Sequence, residues 1–511
     1  MNDKRRLVGP AIFITIFAVG AQVTAFVIQL TLANLFGSTI QMDAFVAANT
    51  LPDYLIAILV GVLSVVFIPV FMDYEASGRE EDAWIVTSGI LNTYLLLLGI
   101  LTLIGVLFSR SVVQLITPGL PPDTLDIASH LAIVLWPTVL GVGVFSLLSG
   151  IYQVRGHFSW PAIASLLGQI INLILVIVLT PLWGVTGAAI GVAANILLQV
   201  LLLARIWLRQ KHYHFGLYWR HPGIRQVLHL LWPLLVSGIV IRWTPVVDRY
   251  LVSSLPVGSI SHLNYAFKIV EGLSLLLSTG ISVVIFPQMA LNVSQSDTHA
   301  LKQTISQGLR LMWLAVAPAI FIGIALAIPI ITILYQRGEF SAADTEVVAA
   351  LMRVYLFALV GMSLGSVTGR SFYALKDTRT PAVIGTIQAF VYIVYAVALV
   401  HFFGVFGAAI AYVIYFNVSL LWQVVVIRLK TGGTGGRLVI GSFGKTCLAA
   451  IIAGLSAWGV IHLMASPWLQ LISGAAVSLV MYLAILLLLR STEIALLLRL
   501  ARQQFAQRLK G

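Results

Sequence analysis

The sequence predicts an all-α polytopic membrane protein of about fourteen transmembrane helices, built as two parallel six-helix repeats followed by two C-terminal helices. Three observations predict it. Apolar runs of about 20 residues recur along nearly the whole chain, each long enough to cross a hydrocarbon core of about 30 Å. Only 9% of the 511 residues are charged and 59% are hydrophobic, with a mean hydropathy of +1.00; soluble domains carry roughly 25% charged residues. Segments of the first half also recur in the second at a spacing of 220 residues.

The first span is expected at about 8–35. Lys4, Arg5 and Arg6 precede it as in a signal peptide, but the apolar run is too long for an h-region, so it reads as an uncleaved first helix. The remaining spans fall at about 44–72, 85–108, 127–152, 159–181, 185–209, 225–252, 262–290, 304–333, 345–374, 381–402, 405–428, 440–464 and 468–490. Strands of a membrane barrel would be near ten residues long with alternating polarity, a pattern these runs lack.

The net charge of +12 is explained by where the charges lie. With the N-terminus inside, Lys4, Arg5, Arg6, Arg79, Arg155, the 205–225 cluster, Lys302, Arg310, Arg370, Lys376, Arg379, the 428–445 group and the C-terminal tail share the cytoplasmic side. Only Arg110 and Arg337 fall outside. This is the positive-inside asymmetry, with attraction to anionic headgroups, and no nucleic-acid partner is needed to account for it. A multi-pass protein of a bacterial cytoplasmic membrane with both termini cytoplasmic is expected.

The duplication sets the organisation. Gly184-Val185-Thr186-Gly187-Ala188-Ala189-Ile190 recurs as Gly404-Val405-Phe406-Gly407-Ala408-Ala409-Ile410, and Pro161-Ala162 as Pro381-Ala382. Gly37-Ser38 with Ala44-Phe45 is answered by Gly258-Ser259 with Ala266-Phe267, and VVFIP at 65–69 by VVIFP at 283–287. Six spans per repeat is an even number, so both repeats enter the membrane in the same sense, with the substrate path expected between them. The expected domains are 1–220, 221–430 and, after the TGGTGG linker at 431–436, a pair of extra helices with a basic tail at 431–511.

Arg242, Asp248, Arg249, Lys268, Glu271, Arg353 and Asp53 remain inside predicted spans once loop charges are assigned. An ionised side chain at mid-bilayer costs on the order of 3 kcal/mol, so these should face water or each other. Lys268 and Glu271, three residues apart, share a helix face. Two readings stand: structural ion pairs with snorkelling near the ends, or a cationic cavity for an anionic headgroup. Arg249 lies close to the outer end of the seventh span. His212 and His214 sit in a basic loop without further metal ligands. Cys447 lies in an apolar span, and no nucleophile triad, phosphate loop or HExxH string occurs, so no enzyme is expected. Trp232, Trp243 and Trp468 read as interfacial anchors.

VDRYLVSSLPVGSISHLNYAFKIVEG at 247–272, LYQRGEFSAADT at 334–345 and GRSFYALKDTRTP at 369–381 together resemble the MurJ (MviN) family, the lipid II flippases of the MOP superfamily. FGSTIQMDAF at 36–45, LPDYL at 51–55 and FIPVF at 67–71 extend the resemblance into the first half. It implies a central cavity alternating between inward and outward openings, a polyprenyl-diphosphate substrate, and a groove for its tail along the final helix pair. It places Lys268 at a basic position of the eighth span, with Phe267 where the family carries aspartate, and Asp248 at an acidic position associated with sodium in some members. Gln388 and Tyr392 stand where those members carry amide and acidic ligands. The family's first-half arginines correspond here to Gln22, Ile28 and Ile56, which leaves Arg242, Arg249 and Arg353 to supply charge.

The expected function is therefore flipping of lipid II or a related polyprenyl-diphosphate oligosaccharide by alternating access. The substrate-binding candidates are Arg242, Arg249, Lys268, Glu271, Arg353 and Asp53, and Asp248 is the candidate for cation coupling. No cofactor is expected beyond a coupling ion, Na+ or H+, or the membrane potential; membrane lipids are the other partners and a monomer the expected state. The alternatives are a MATE-like cation-coupled exporter of small molecules and a transport-inactive scaffold paralogue.

Overall fold

The computed structural model describes residues 2–209, 213–433 and 435–494, and among them every regular element is helical. In chain order the helices are α1 (Asn2–Phe36), α2 (Ile40–Ala76), α3 (Glu80–Leu107), α4 (Ser109–Ile116), α5 (Pro122–Leu135), α6 (Pro137–Val154), α7 (Ser159–Trp183), α8 (Val185–Arg209), α9 (Pro222–Ile241) and α10 (Thr244–Val252). They continue as α11 (Ser259–Ser294), α12 (Thr298–Ala325), α13 (Ala327–Tyr335), α14 (Ala342–Tyr355), a π-helical turn Val360–Leu364, α15 (Gly365–Ala374), α16 (Arg379–Phe403), α17 (Val405–Thr431), α18 (Gly436–Ile461) and α19 (Pro467–Leu488). Among the described residues twelve spans, two of them made by α5 with α6 and by α9 with α10, are long and apolar enough to cross a bilayer, rising to 14 when two more strongly bent pairs are each counted as one span.

Several spans that the sequence presents as continuous are broken or bent, and for three of them proline chemistry explains where. A proline ring collides with the carbonyl four residues earlier. Pro245 accordingly follows the end of α9 at Ile241, and Pro329 the end of α12 at Ala325, each by four residues. In α11 a bend of 46° falls between Ile281 and Ile285, ahead of Pro287. The tenth span bends by 41° between α14 and the π-helical turn. Trp243, expected at a span end, thus sits at the break between α9 and α10.

Packing divides the chain into two compact units, one running to Ser261 and including Arg337–Phe340, the other holding His262–Gln336 and the residues from Ser341 onward. In the first, α1 packs on α7, α7 on α8, and α2 on α5, α6 and α9. Helices α9 and α10, which the duplication counts as the opening of the second repeat, lie here against α2, α3 and α4. The boundary of packing at 261 and the boundary of the repeat near 220 are therefore different things. In the second unit α16 packs on α17, α14 and α15 on α17, and α12 on α18.

The repeated Gly-x-x-Gly motif has a physical reason that is the same in both halves. Gly184 and Gly404 adopt φ +57° with ψ −144° and −133°, a conformation open essentially to glycine alone, and each reverses the chain between two long helices. Three residues on, an added Cβ at Gly187 or Gly407 would stand 2.7 Å from the Leu179 carbonyl carbon or 2.0 Å from the Leu399 oxygen. Only a bare backbone fits. The helices that these turns join have different cores: within α8 Asn195 accepts from Gln199 at 2.7 Å, and Gln199 in turn accepts from Ser165 of α7 at 3.3 Å, whereas Tyr392 and Tyr415, 220 residues after Asn172 and Asn195, pack edge to face with centroids 5.6 Å apart.

Helices α18 and α19 are integral to the second unit. Trp313 of α12 stacks on Phe443 at 4.8 Å and donates to its carbonyl at 3.2 Å, and the Tyr482 hydroxyl donates to the Leu314 carbonyl at 2.6 Å. Beyond α19, Arg310 meets the buried Glu493 at 2.8 Å. Close approach uses small residues, as is usual between helices in lipid. A Cβ on Gly454 would lie 2.7 Å from the Phe321 carbonyl oxygen, while one on Gly459 would meet nothing within 4 Å. Gly454→Ala should therefore lower stability by about 1–3 kcal/mol. Gly459→Ala should be neutral or stabilising by up to about 1 kcal/mol. Thermal unfolding of both variants in detergent checks the pair.

Candidate functional site

The charged residues expected inside the membrane fall into two groups, one in each unit. In the first unit Asp53 follows Pro52 within α2, is exposed, and accepts from the Asn49 amide at 2.7 Å. The next residue, Tyr54, donates its hydroxyl at 2.6 Å to the carbonyl of Ile239 in the last turn of α9, where carbonyls lack helix partners. Arg242 stands three residues further on, exposed, in the break after that helix end. Asp53 and Arg242 are thus carried by neighbouring chain segments. A cation at a helix C-terminus is favoured by the helix dipole, so the position suits arginine on local grounds as well.

On α10 the same unit presents two charges differently. Thr244, Asp248 and Val252, spaced by four, form its buried stripe, and Asp248 is 6% exposed. Arg249, next along, is half-buried in the last turn. Among the described residues no three His, Cys, Asp or Glu side chains gather as a metal site. His212 lies outside the described residues.

In the second unit Lys268 donates to Glu271 at 3.0 Å, the one-face pair that their spacing implies, with Lys268 half-buried and Glu271 exposed on α11. Beside them, Phe267 packs at 5.0 Å from Tyr412 and 5.7 Å from Tyr355, so an aromatic contact occupies the position of the family's aspartate. Arg353 does something the sequence did not announce. From the last turn of α14 its Nε donates at 3.2 Å to the carbonyl of Ile324, a terminal acceptor of α12 just before the break at Leu326. On α16, Gln388 is buried and its Oε1 has no hydrogen-bond partner among the described residues. Ionised groups are not tolerated against lipid tails, so the exposure of Asp53, Arg242 and the Lys268–Glu271 pair marks the wet side of their helices.

A further carboxylate, absent from the expected set, is deeply engaged. Asp43 is 4% exposed, and its oxygens accept from the backbone N–H of Gly258 at 2.6 Å, from that of Ser261 at 2.8 Å and from the Ser261 hydroxyl at 2.7 Å. It caps the N-terminus of α11 from a distant helix, supplying the acceptor that the first turn needs and the negative charge that the dipole favours. A span start placed at 44 left it among the loop residues; α2 begins at Ile40.

The family model for the lipid II flippase MurJ matches residues 32–479. A probable lipid II flippase MurJ of Vibrio cholerae is 28% identical over 449 residues, covering 82% of this chain and 83% of the relative, and one from Buchnera aphidicola is 26% identical over 388 residues, covering 73% and 75%. Among solved structures, a lipid II flippase MurJ in an inward closed conformation covers 93% of this chain and 98% of its own, with a TM-score of 0.79 and 21% identity. An inward-facing multidrug resistance MATE family transporter covers 81% and 94%, with a TM-score of 0.66 and 16% identity. At these identities the likeness of structure speaks for the fold.

The Asp43 cap gives a stability test. Asp43→Ala strips the acceptor from three donors and should cost about 2–4 kcal/mol, each bond to a charged group being worth roughly 1.5–3 kcal/mol less what water regains. Asp43→Asn keeps one acceptor and should cost less. Asp53→Asn, at an exposed site, should leave the thermal midpoint in detergent close to that of the unaltered protein.

Proposed function

The chain belongs to the lipid II flippase MurJ family, and on that premise we propose that it carries lipid II, or a closely related polyprenyl-diphosphate oligosaccharide, across the membrane by alternating access. The family is one of lipid transporters rather than catalysts. The observation that carries the reading is the set of solvent-accessible charges on membrane-spanning helices: Asp53 and Arg242 in one unit, the partly exposed Lys268–Glu271 pair in the other. A diphosphate leaves water at great cost unless fixed cations meet it, and basic side chains on a wet helix face meet that need. Arg249 and Arg353 are secondary: the first lies at the end of α10, the second is engaged at a helix break.

Orientation follows from the Lys/Arg bias, which sets the termini and the loop around 213–221 on the cytoplasmic side of a bacterial inner membrane and Arg110 and Arg337 outside. Asp43 then lies toward the outer end of α2. The tail of the lipid is assigned to the apolar surface of α18 and α19, where Leu455, Leu469, Ile472 and Leu479 are exposed.

Lys268→Ala should remove a charge-assisted contact worth about 2 kcal/mol and weaken binding of polyprenyl-diphosphate lipid some thirtyfold. Arg242→Ala should act in the same direction, and the combined variant should lose binding. The measurement is native mass spectrometry with defined lipids, alongside thermal stability of each variant. If Lys268 serves only its pair with Glu271, Glu271→Gln and Lys268→Ala will both destabilise the protein without changing lipid affinity. Full affinity in the combined variant, or no affinity in the unaltered protein, would turn the assignment toward the exporter or the scaffold.

Coupling is assigned to Asp248, the buried carboxylate of α10. Asp248→Asn should impair transport in reconstituted vesicles, relative to the unaltered protein, more strongly under a full cation gradient than under a collapsed one. Transport equal to that of the unaltered protein under every gradient would make the residue structural.

A further inference from the structure

The segment joining the two repeats, from Tyr213 to His221, does not hang in water. It is laced to the side of α3 by side chains that would otherwise be out of place there. The Ser88 hydroxyl accepts from the His214 N–H at 3.1 Å, and the Asn92 amide donates to the carbonyls of His214 at 3.2 Å and Gly216 at 2.8 Å. The Tyr213 hydroxyl donates to the Asn92 oxygen at 2.6 Å, and the Trp219 ring N–H to the Thr93 hydroxyl at 3.0 Å. Gly89 lets the chain lie flat: a Cβ there would stand 3.2 Å from the Leu217 carbonyl oxygen and 2.3 Å from Ile224 Cδ1. Ser88-Gly89 with Asn92-Thr93 is thereby accounted for as a docking notch in a spanning helix.

The notch lies at a telling height. α3 opens with Glu80, Glu81 and Asp82, and its outward-facing apolar run begins at Leu95 and continues through Leu96, Leu97 and Ile100. At 1.5 Å per residue, Ser88 to Thr93 lie about 12–20 Å along the helix, between the charged turn and the apolar run. That is the position of the headgroup boundary. From it the linker displays Phe215, 90% exposed, with Tyr218 and Trp219 also exposed and with exposed Arg220 and Arg225 beside them. Aromatic rings with flanking arginines are the composition that settles at a membrane interface and attracts anionic headgroups.

We infer that the inter-repeat linker is a membrane-interface anchor: the notch on α3 holds its backbone, while Phe215, Tyr218 and Trp219 insert at the boundary of an anionic bilayer, with Arg220 and Arg225 on the headgroups. The occupant of this surface is anionic phospholipid of the surrounding leaflet. The bond from the notch fixes the height of the rings, so loss of Asn92 should let them lift away.

The test uses the full-length protein with Cys447→Ser and a single spin label at Phe215→Cys, reconstituted in nanodiscs of phosphatidylglycerol with phosphatidylcholine and, separately, of phosphatidylcholine alone. Labels at Ser77→Cys and Leu97→Cys give the water and lipid references. In anionic discs the label at 215 should be severalfold less accessible to a water-soluble nickel chelate than the label at 77, and more accessible to oxygen. Asn92→Ala should raise its chelate accessibility severalfold without moving the reading at 97. Arg220→Gln with Arg225→Gln should remove the difference between the two disc compositions. A label at 215 as open to the chelate as that at 77 in anionic discs, or one indifferent to Asn92→Ala, would overturn the inference.

Discussion

Hydrocarbon offers no hydrogen bonds, and the arrangement of this chain follows from the need to satisfy every polar group without water. Helices meet that need for their own backbones except at their ends, and the broken spans create extra ends in the interior. Three helix ends show how such groups are met. The Ile239 carbonyl receives the Tyr54 hydroxyl, the Ile324 carbonyl receives Arg353, and the first turn of α11 receives Asp43. The polar side chains that look anomalous in an apolar sequence are, in these cases, the terminal groups of interrupted helices displaced onto neighbours. Asp53, Arg242 and Glu271 stand exposed on their helices, with Lys268 half-buried beside Glu271.

The spans were legible in the sequence because a run of about 20 apolar residues has one physical explanation. The turns of the repeat were legible as glycine motifs, and their conformation accounts for them. Less could be read where the decisive partner is far away. Pro245 and Pro329 were visible, yet a proline within a span bends as often as it breaks, and the choice rests on whether a neighbour can take the released carbonyl. Arg353 was recognised as an intramembrane cation, but its acceptor is 29 residues off in sequence. Asp43 was missed through a displacement of four residues in the expected start of α2. The packing of α9 and α10 with the first unit had no signature at all, since a duplication records ancestry and not contact.

The duplication itself shows what the two halves must keep and what they are at liberty to change. The glycine that reverses the chain is held by backbone geometry and recurs with φ +57° in both. The facing core positions are held only by the requirement to fill space and satisfy donors, and there amides in one half correspond to tyrosines in the other. A buried amide network and an edge-to-face aromatic pair are alternative ways of joining helices in lipid. The first half thus carries polarity in its interior where the second carries rings.

The cap on α11 also has a timetable. Asp43 and the backbone groups it serves are separated by 215 and 218 residues. A ribosome adding roughly 5–20 residues per second needs about 10–40 s to make that stretch. For that interval α2 is already in the membrane while the donors at Gly258 and Ser261 do not yet exist. The nascent first half must shelter a carboxylate by other means, through protonation, a temporary place at the headgroups or the insertion machinery, so that the hydrogen bonds closing the finished protein are among the last to form as it is made.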